Sequence, residues 1–180
     1  MKVLIIIPAY NEEESIEKVI NNLKQNYSQY DYVIINDGSH DHTSEICHKN
    51  KYKIIDLPVN LGLTGAFQTG LKYAYKKGYD YAIQFDADGQ HLPEYIPAMV
   101  DKIEEGYDMV IGSRFVEKPK PRSLRMLGSR VISTAIKITT GVHIADPTSG
   151  MRLFNKTLIR EFAENINYEP EPDTVSFLIK

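Results

Sequence analysis

The chain has 180 residues, 42% of them hydrophobic and 25% charged, with a formal net charge of -3 at pH 7. That length supports one domain with its own core, and the composition is neither that of a disordered chain nor that of a membrane-embedded one. No global basic field is available to attract nucleic acid, and a single cysteine, Cys47, excludes an internal disulfide framework and a multi-cysteine zinc site.

Val3 to Ile7 is apolar and largely β-branched, as a strand buried on both faces should be. Asn11 is the expected N-cap of the helix that follows, with Glu12, Glu13 and Glu14 at its positive end and Ile16, Val19, Ile20 and Leu23 along its apolar face to about Asn26. Tyr32 to Ile35 is predicted as a second strand, Asn36-Asp37-Gly38-Ser39 as a turn and Thr43 to Lys49 as a short helix. A third strand is predicted over Lys53 to Leu57. After Pro58 to Gly62, a helix shows Leu63, Phe67, Leu71 and Ala74 on one face. Tyr81 to Phe85 is a fourth strand that runs into Asp86-Ala87-Asp88. Ile96, Met99, Val100 and Ile103 mark another amphipathic helix, and Met109 to Gly112 another strand. This alternation predicts an α/β domain with a mainly parallel, Rossmann-like sheet and helices on both faces.

Beyond Gly112 the pattern changes. Lys118 to Arg122 is a basic, proline-broken loop, a long helix is expected from about Ser123 to Thr140, and Asp146 to Gly150 is a turn before a short strand at Met151 to Phe154. Thr174 to Lys180 reads as the opening turns of a helix without a C-cap, so the chain is expected to be a fragment truncated at its C-terminus.

Candidate chemistry gathers at the carboxyl ends of the strands, where open α/β sheets bind ligands. Asp86 and Asp88 stand two positions apart on extended backbone, so both carboxylates point to one side and can approach one Mg²⁺ or Mn²⁺. Gln90 or His91 is placed to complete the shell, and the competing reading is a solvated Asp-x-Asp-Gly turn. The first turn has no glycines to cradle a pyrophosphate, but Tyr10 offers a face for stacking and Glu12 offers acceptors for hydroxyl groups; a plain helix cap is the alternative. Asp37 can accept from a base N–H, and Asn60-Leu61-Gly62-Leu63-Thr64-Gly65 lets backbone approach a phosphate or nucleoside, or a neighbouring strand.

Ile7-Pro8-Ala9-Tyr10-Asn11-Glu12, Asn36-Asp37-Gly38-Ser39, Asn60-Leu61-Gly62 with Gly65-Ala66, and Asp86-Ala87-Asp88-Gly89-Gln90-His91 together resemble glycosyltransferase family 2, in order and spacing. Gly112-Ser113-Arg114 and Asp146-Pro147-Thr148-Ser149-Gly150-Met151-Arg152 extend the resemblance towards dolichyl- and polyprenyl-phosphate sugar synthases and related polysaccharide enzymes. The resemblance implies a single GT-A nucleotide-diphospho-sugar transferase domain over residues 1–180, with a donor half at 1–112 and a partial acceptor half at 113–180. It implies an inverting, metal-dependent transfer from a UDP- or GDP-sugar to a polyprenyl phosphate or a growing cell-envelope glycan. Pro8, Ala9, Tyr10, Glu12, Asp37, Asn60, Gly62, Asp86, Ala87 and Asp88 would then hold the nucleotide-sugar, and Asp86, Asp88 and Gln90 the Mg²⁺ or Mn²⁺. Arg114 and Arg152 would suit phosphate groups of donor or acceptor.

Two features depart from the family pattern. The family commonly carries two aspartates before Gly-Ser, and the first is Asn36 here. A clear Glu-Asp pair beyond the metal motif is missing, which leaves Asp146 as the candidate general base; an anionic lipid-phosphate acceptor needs little help from one. The basic residues from Lys118 to Arg130, interleaved with Leu124, Met126, Leu127 and Val131, suit either an anionic membrane surface or a core-packed helix. The expected setting is cytoplasmic, at the inner face of the membrane, and a homo-oligomer would also bury that apolar surface. A sugar nucleotidyltransferase would open with a glycine- and arginine-rich loop, which Pro8-Ala9-Tyr10 is not. A non-catalytic nucleotide-binding or scaffold domain is the rival from another class.

Overall fold

A computed structural model of the protein describes residues 1–89, 91–113, 134, 138, 146 and 149–165. Strand β1 (Val3–Ala9) is buried along nearly its whole length because consecutive side chains serve opposite faces of one sheet. Ile5 and Ile7 pack in one core, with Ile16, Val19, Ile20 and Leu23 of α1 (Ile16–Asn26), Cys47 of α2 (Thr43–Lys49) and Met99, Val100 and Ile103 of α4 (Ile96–Glu104). Leu4 and Ile6 face the other core, with Phe67, Leu71 and Ala74 of α3 (Gly62–Lys77) and Leu158, Ile159 and Phe162 of α5 (Lys156–Glu164). Three layers result, helices on both faces of a sheet, as the alternating pattern predicts.

Among the described residues the sheet has six strands in the order β3-β2-β1-β4-β6-β5. Strands β2 (Asp31–Asn36), β3 (Ile54–Asp56) and β4 (Tyr81–Gln84) join β1 in a parallel block. Strand β6 (Arg152–Asn155) then inserts antiparallel between β4 and β5 (Met109–Ile111). The fold is GT-A. Its consequence for the site is directional: β1, β2 and β4 all end at one edge, and the turns that follow them meet there.

Three local expectations need correction. Asn11 does not cap α1. Its φ is +56°, and the helix begins only at Ile16, after a turn in which the N–H groups of Ser15 and Ile16 both donate to the Glu12 carbonyl. Leu63 does not join Phe67, Leu71 and Ala74 in the core; it is 51% exposed, because the first turn of α3 stands at the rim of the sheet, where a cleft opens. Helix α5 is an element that the predicted pattern lacks. Asn155 caps it by accepting from the Leu158 N–H, and the Gln68 side chain of α3 donates to the carbonyls of Phe162 and Asn165 at its far end. The helix expected over Ser123–Thr140, the basic loop before it and the segment Thr174–Lys180 lie outside the described residues, save Thr134 and Ile138. Among the described residues, no helix is long and apolar enough to cross a membrane.

Candidate active site

A cleft of about 240 Å³ opens at the carboxyl ends of β1, β2 and β4. It is lined by Pro8, Ala9, Tyr10 and Glu12 from the first turn, Asp37 from the second, Leu63 and Ala66 from α3, and Asp86, Ala87 and Asp88 after β4. Three turns that are far apart in sequence and unremarkable singly therefore share one cavity.

The first and second turns are laced together by their own polar groups. The Asn11 N–H donates to Ser39 Oγ at 3.0 Å, and Asn11 Oδ1 accepts from the His40 N–H at 2.8 Å. The Glu12 N–H donates to Thr43 Oγ1 at 2.8 Å, the Glu13 N–H to Asp41 Oδ2 at 3.1 Å, and the His42 N–H to Glu13 Oε2 at 2.9 Å. Glu12 keeps its carboxylate at the cleft while one oxygen accepts from Ser15 Oγ. The Tyr10 ring is 44% exposed and meets His40 edge-on, so a face remains open for a planar group.

Asp37 is only 3% exposed. Its Oδ1 accepts from the Leu61 N–H at 2.7 Å, which ties the loop before α3 to the cleft floor. Its other oxygen has no hydrogen-bond partner among the described residues. Gly38 permits that closeness, since a Cβ there would come within 2.8 Å of the Asn60 nitrogen and its φ is +68°. Asn36, where the resemblance commonly implies aspartate, donates from Nδ2 to Asp56 Oδ1 at 2.7 Å. An aspartate there would set two carboxylates against each other, so the amide suits this position. Asn60 and Gly62 stand outside the cleft lining; Asn60 Oδ1 accepts from the Gly62 N–H and so shapes the start of α3.

Around the acidic pair, burial pushes the Asp86 carboxyl above its ordinary value. His91 opposes that shift, Asp88 adds to it, and a hydrogen bond from Gln84 opposes it. Sequence reasoning placed His91 as a possible ligand. The Asp86 N–H donates to His91 Nδ1 at 2.8 Å, and His91 Nε2 lies 3.2 Å from Asp86 Oδ2, so both ring nitrogens face Asp86 itself. Gln90 and Arg114 lie outside the described residues. Asp146 is 1% exposed and Arg152 is 4% exposed, neither lines the cleft, and Arg152 Nε donates to the Ser149 carbonyl at 3.0 Å. Among the described residues no three His, Cys, Asp or Glu side chains converge as a metal cage. Leu63 and Ala66 are lining residues that sequence reasoning missed; periodicity marked Leu63 only for a core face, and Ala66 stood only within the motif that carries the family resemblance.

The turn pair carries a pH signature. Burial raises the Asp41 carboxyl, but hydrogen bonds from the Thr43 hydroxyl and from the Thr43 and Glu13 N–H groups outweigh it and hold Asp41 below its ordinary value. Such a group stabilises the fold fully above about pH 4, its unfolded value, and loses that contribution as pH falls through the folded value. Urea unfolding midpoints of the wild type and of Asp41→Asn should therefore differ most near neutral pH and converge on acidification towards pH 2; a constant difference would contradict this.

The family model for glycosyl transferase family 2 matches residues 4–162. UDP-N-acetylglucosamine–dolichyl-phosphate N-acetylglucosaminyltransferase of Methanococcus voltae is 35% identical over 91% of this chain and 73% of its own length. Polyprenol monophosphomannose synthase of Mycolicibacterium smegmatis is 27% identical over 89% of this chain and 64% of its own length. Among solved structures, glucosyl-3-phosphoglycerate synthase of Mycobacterium tuberculosis, in complex with Mn²⁺, UDP-glucose and phosphoglyceric acid, superposes with a TM-score of 0.69 at 20% identity. That match covers 87% of this chain and 57% of the other, and it is a likeness of fold.

Proposed function

This chain belongs to glycosyl transferase family 2, and from that membership we propose that it moves a sugar, with inversion, from a nucleoside-diphosphate donor to a polyprenyl phosphate. The observation that carries the reading is the convergence of Tyr10, Glu12, Asp37, Asp86 and Asp88 on one cleft at the strand ends. Asp37 offers its second oxygen to a base N–H, Tyr10 its ring face to the base, and Glu12 acceptors to ribose hydroxyls. UDP is the first donor to try, with GDP beside it, because the archaeal relative is named for a UDP-sugar and a dolichyl phosphate. Residues 1–112 serve as the donor half and residues 113–180 as part of the acceptor half, where Arg114 suits phosphate, whereas Arg152 is buried against the Ser149 carbonyl and is not assigned that role. On this reading the chain works at the inner face of a membrane as a peripheral protein.

The donor set fits a divalent ion. Two neighbouring carboxylates, one of them pushed towards protonation by burial and by the other's charge, gain from a cation between them. Mg²⁺ and Mn²⁺ sites of this kind use one or two carboxylates and leave the remaining positions to waters and substrate phosphates. Asp86 and Asp88 would hold the ion, with Gln90 beside them, and the ion would neutralise charge on the departing diphosphate. An oxygen of the acceptor phosphate attacks the anomeric carbon from the face opposite the diphosphate, the bond from that carbon to the diphosphate oxygen breaks, and its electron pair leaves with the nucleoside diphosphate. The attacking oxygen is already anionic at neutral pH, so no proton must be removed and buried Asp146 is not required as a base.

The test uses radiolabelled UDP- and GDP-sugars, a polyprenyl phosphate in detergent, and Mn²⁺ or Mg²⁺. Label should pass into the organic phase only when both the lipid phosphate and the divalent ion are present. Nucleotide binding without transfer to lipid or glycan would instead favour a non-catalytic binding domain.

A further inference from the structure

The proposed ion site raises the question of what fixes the Asp86 carboxylate. A carboxylate that holds an ion works best when its rotamer is set in advance by neighbouring hydrogen bonds. The backbone N–H of Asp86 is an obligatory donor, so the 2.8 Å contact with His91 Nδ1 requires that nitrogen to be unprotonated. The ring proton then sits on Nε2, which faces Asp86 Oδ2 at 3.2 Å. One imidazole thus accepts from the backbone of Asp86 and stands in close contact with the carboxylate of the same residue. The Phe85 ring meets His91 edge-on, with centroids 5.5 Å apart, and keeps the imidazole in place.

Gly150 closes the other side. A Cβ built on it would lie 3.0 Å from Asp86 Oδ2 and 3.3 Å from both Cε1 and Nε2 of His91. Its φ is one that alanine adopts without strain, so the glycine is needed for space and not for backbone freedom. The segment around Gly150 is itself anchored, since Ser149 Oγ donates to the Gly112 carbonyl at 2.5 Å and the Gly112 N–H donates to the Met151 carbonyl at 2.8 Å.

We propose that His91 is a positioning residue that, with Gly150 packed beside it, holds the Asp86 carboxylate in the orientation needed to bind a divalent ion. The inference rests on the metal reading above and goes further: His91 acts on the ion through Asp86, and the segment 149–152, distant in sequence, shapes the same carboxylate. With both nitrogens turned to Asp86, His91 is not itself a ligand in this arrangement.

Two amide variants separate the two contacts. In His91→Asn the amide oxygen takes the place of Nδ1 and can still accept from the backbone, but the contact of Nε2 with Asp86 Oδ2 is lost while the hydrogen bond from Gln84 remains. In His91→Gln the amide nitrogen takes the place of Nε2 beside Asp86 Oδ2, and the acceptor for the Asp86 N–H is lost. Binding of Mn²⁺, with and without UDP, is read from the loss of the free-ion electron paramagnetic resonance signal, alongside melting temperature. His91→Asn should weaken Mn²⁺ binding about tenfold, in the range expected when an outer partner of a ligand is lost. His91→Gln should stay within about threefold of wild type, and Gly150→Ala should weaken binding about threefold to tenfold by displacing Oδ2. Equal weakening in the two amide variants, or wild-type affinity in both His91→Asn and Gly150→Ala, would overturn the proposal while leaving the ion site standing. A wild-type chain that takes up no Mn²⁺ would overturn both.

Discussion

On the proposed function, Asp88→Ala is expected to lower the rate of sugar transfer by at least about a thousandfold and to leave the fold nearly as stable as before. Asp88 lines the cleft from an exposed turn, so its loss opens no cavity, and the expected cost in stability is within about 0.5 kcal/mol. The proposed contribution of Asp88 is to the ion. An ion that stabilises charge on the leaving diphosphate contributes several kcal/mol to the transition state, and about 4 kcal/mol corresponds to a thousandfold in rate. Initial rates at saturating donor, measured beside melting temperatures, provide the check. Activity within tenfold of wild type would remove Asp88 from the mechanism.

The second large effect is expected at Asp37, and here two substitutions should part company. Asp37→Asn keeps an oxygen for the Leu61 N–H but turns an amide nitrogen towards the cleft, where a base N–H would need an acceptor. Losing a hydrogen bond to a charged group costs about 1.5–3 kcal/mol, so KM for the donor should rise roughly tenfold to a hundredfold while kcat changes little. Asp37→Ala should add a structural penalty, because the Leu61 N–H is left without its acceptor. At about 1–3 kcal/mol, that loss lowers the melting temperature by several degrees in a domain of this size. Equal melting temperatures for the two variants, or a change in kcat alone, would contradict the assignment of Asp37 to both tasks.

The parallel block of the fold was legible because its signal is local. The unbroken apolar run of β1 requires burial on both sides, and each helix after it shows one apolar stripe. The insertion of β6 between β4 and β5 was not legible, because the pairing of Ala82 with Phe154 spans a connection whose direction no local pattern encodes. Helix α5 was missed although its signals were present, an asparagine cap followed by Leu158, Ile159 and Phe162 at helical spacing. Asn11 misled because an asparagine before a run of glutamates is a common helix start, whereas here it takes a left-handed turn and binds the second loop.

At the candidate site, the polar residues of the three turns could be named because each follows a strand and therefore falls at the same edge. Leu63 could not, since an apolar residue in register with a core stripe gives no hint that the helix has passed the rim of the sheet. The contact of His91 with Asp86 was equally hidden. A histidine five positions from a carboxylate reads as a second ligand, and only the hydrogen bond from the Asp86 N–H reveals that its Nδ1 is already engaged. The contact of Gly150 with the same carboxylate belongs to tertiary packing alone.

The central claim, a nucleoside-diphosphate site completed by a divalent ion, is tested most directly by thermal unfolding in the presence of UDP, GDP, CDP or ADP, each with Mn²⁺, with Mg²⁺ or with a chelator. At a hundred times its dissociation constant a ligand adds about 2.7 kcal/mol of stability, a shift of roughly 5–10 °C for a domain of this size. The account predicts such a shift with UDP or GDP that disappears with chelator and in Asp88→Ala. A melting temperature unmoved by every diphosphate, or moved equally with chelator and in Asp88→Ala, would contradict it.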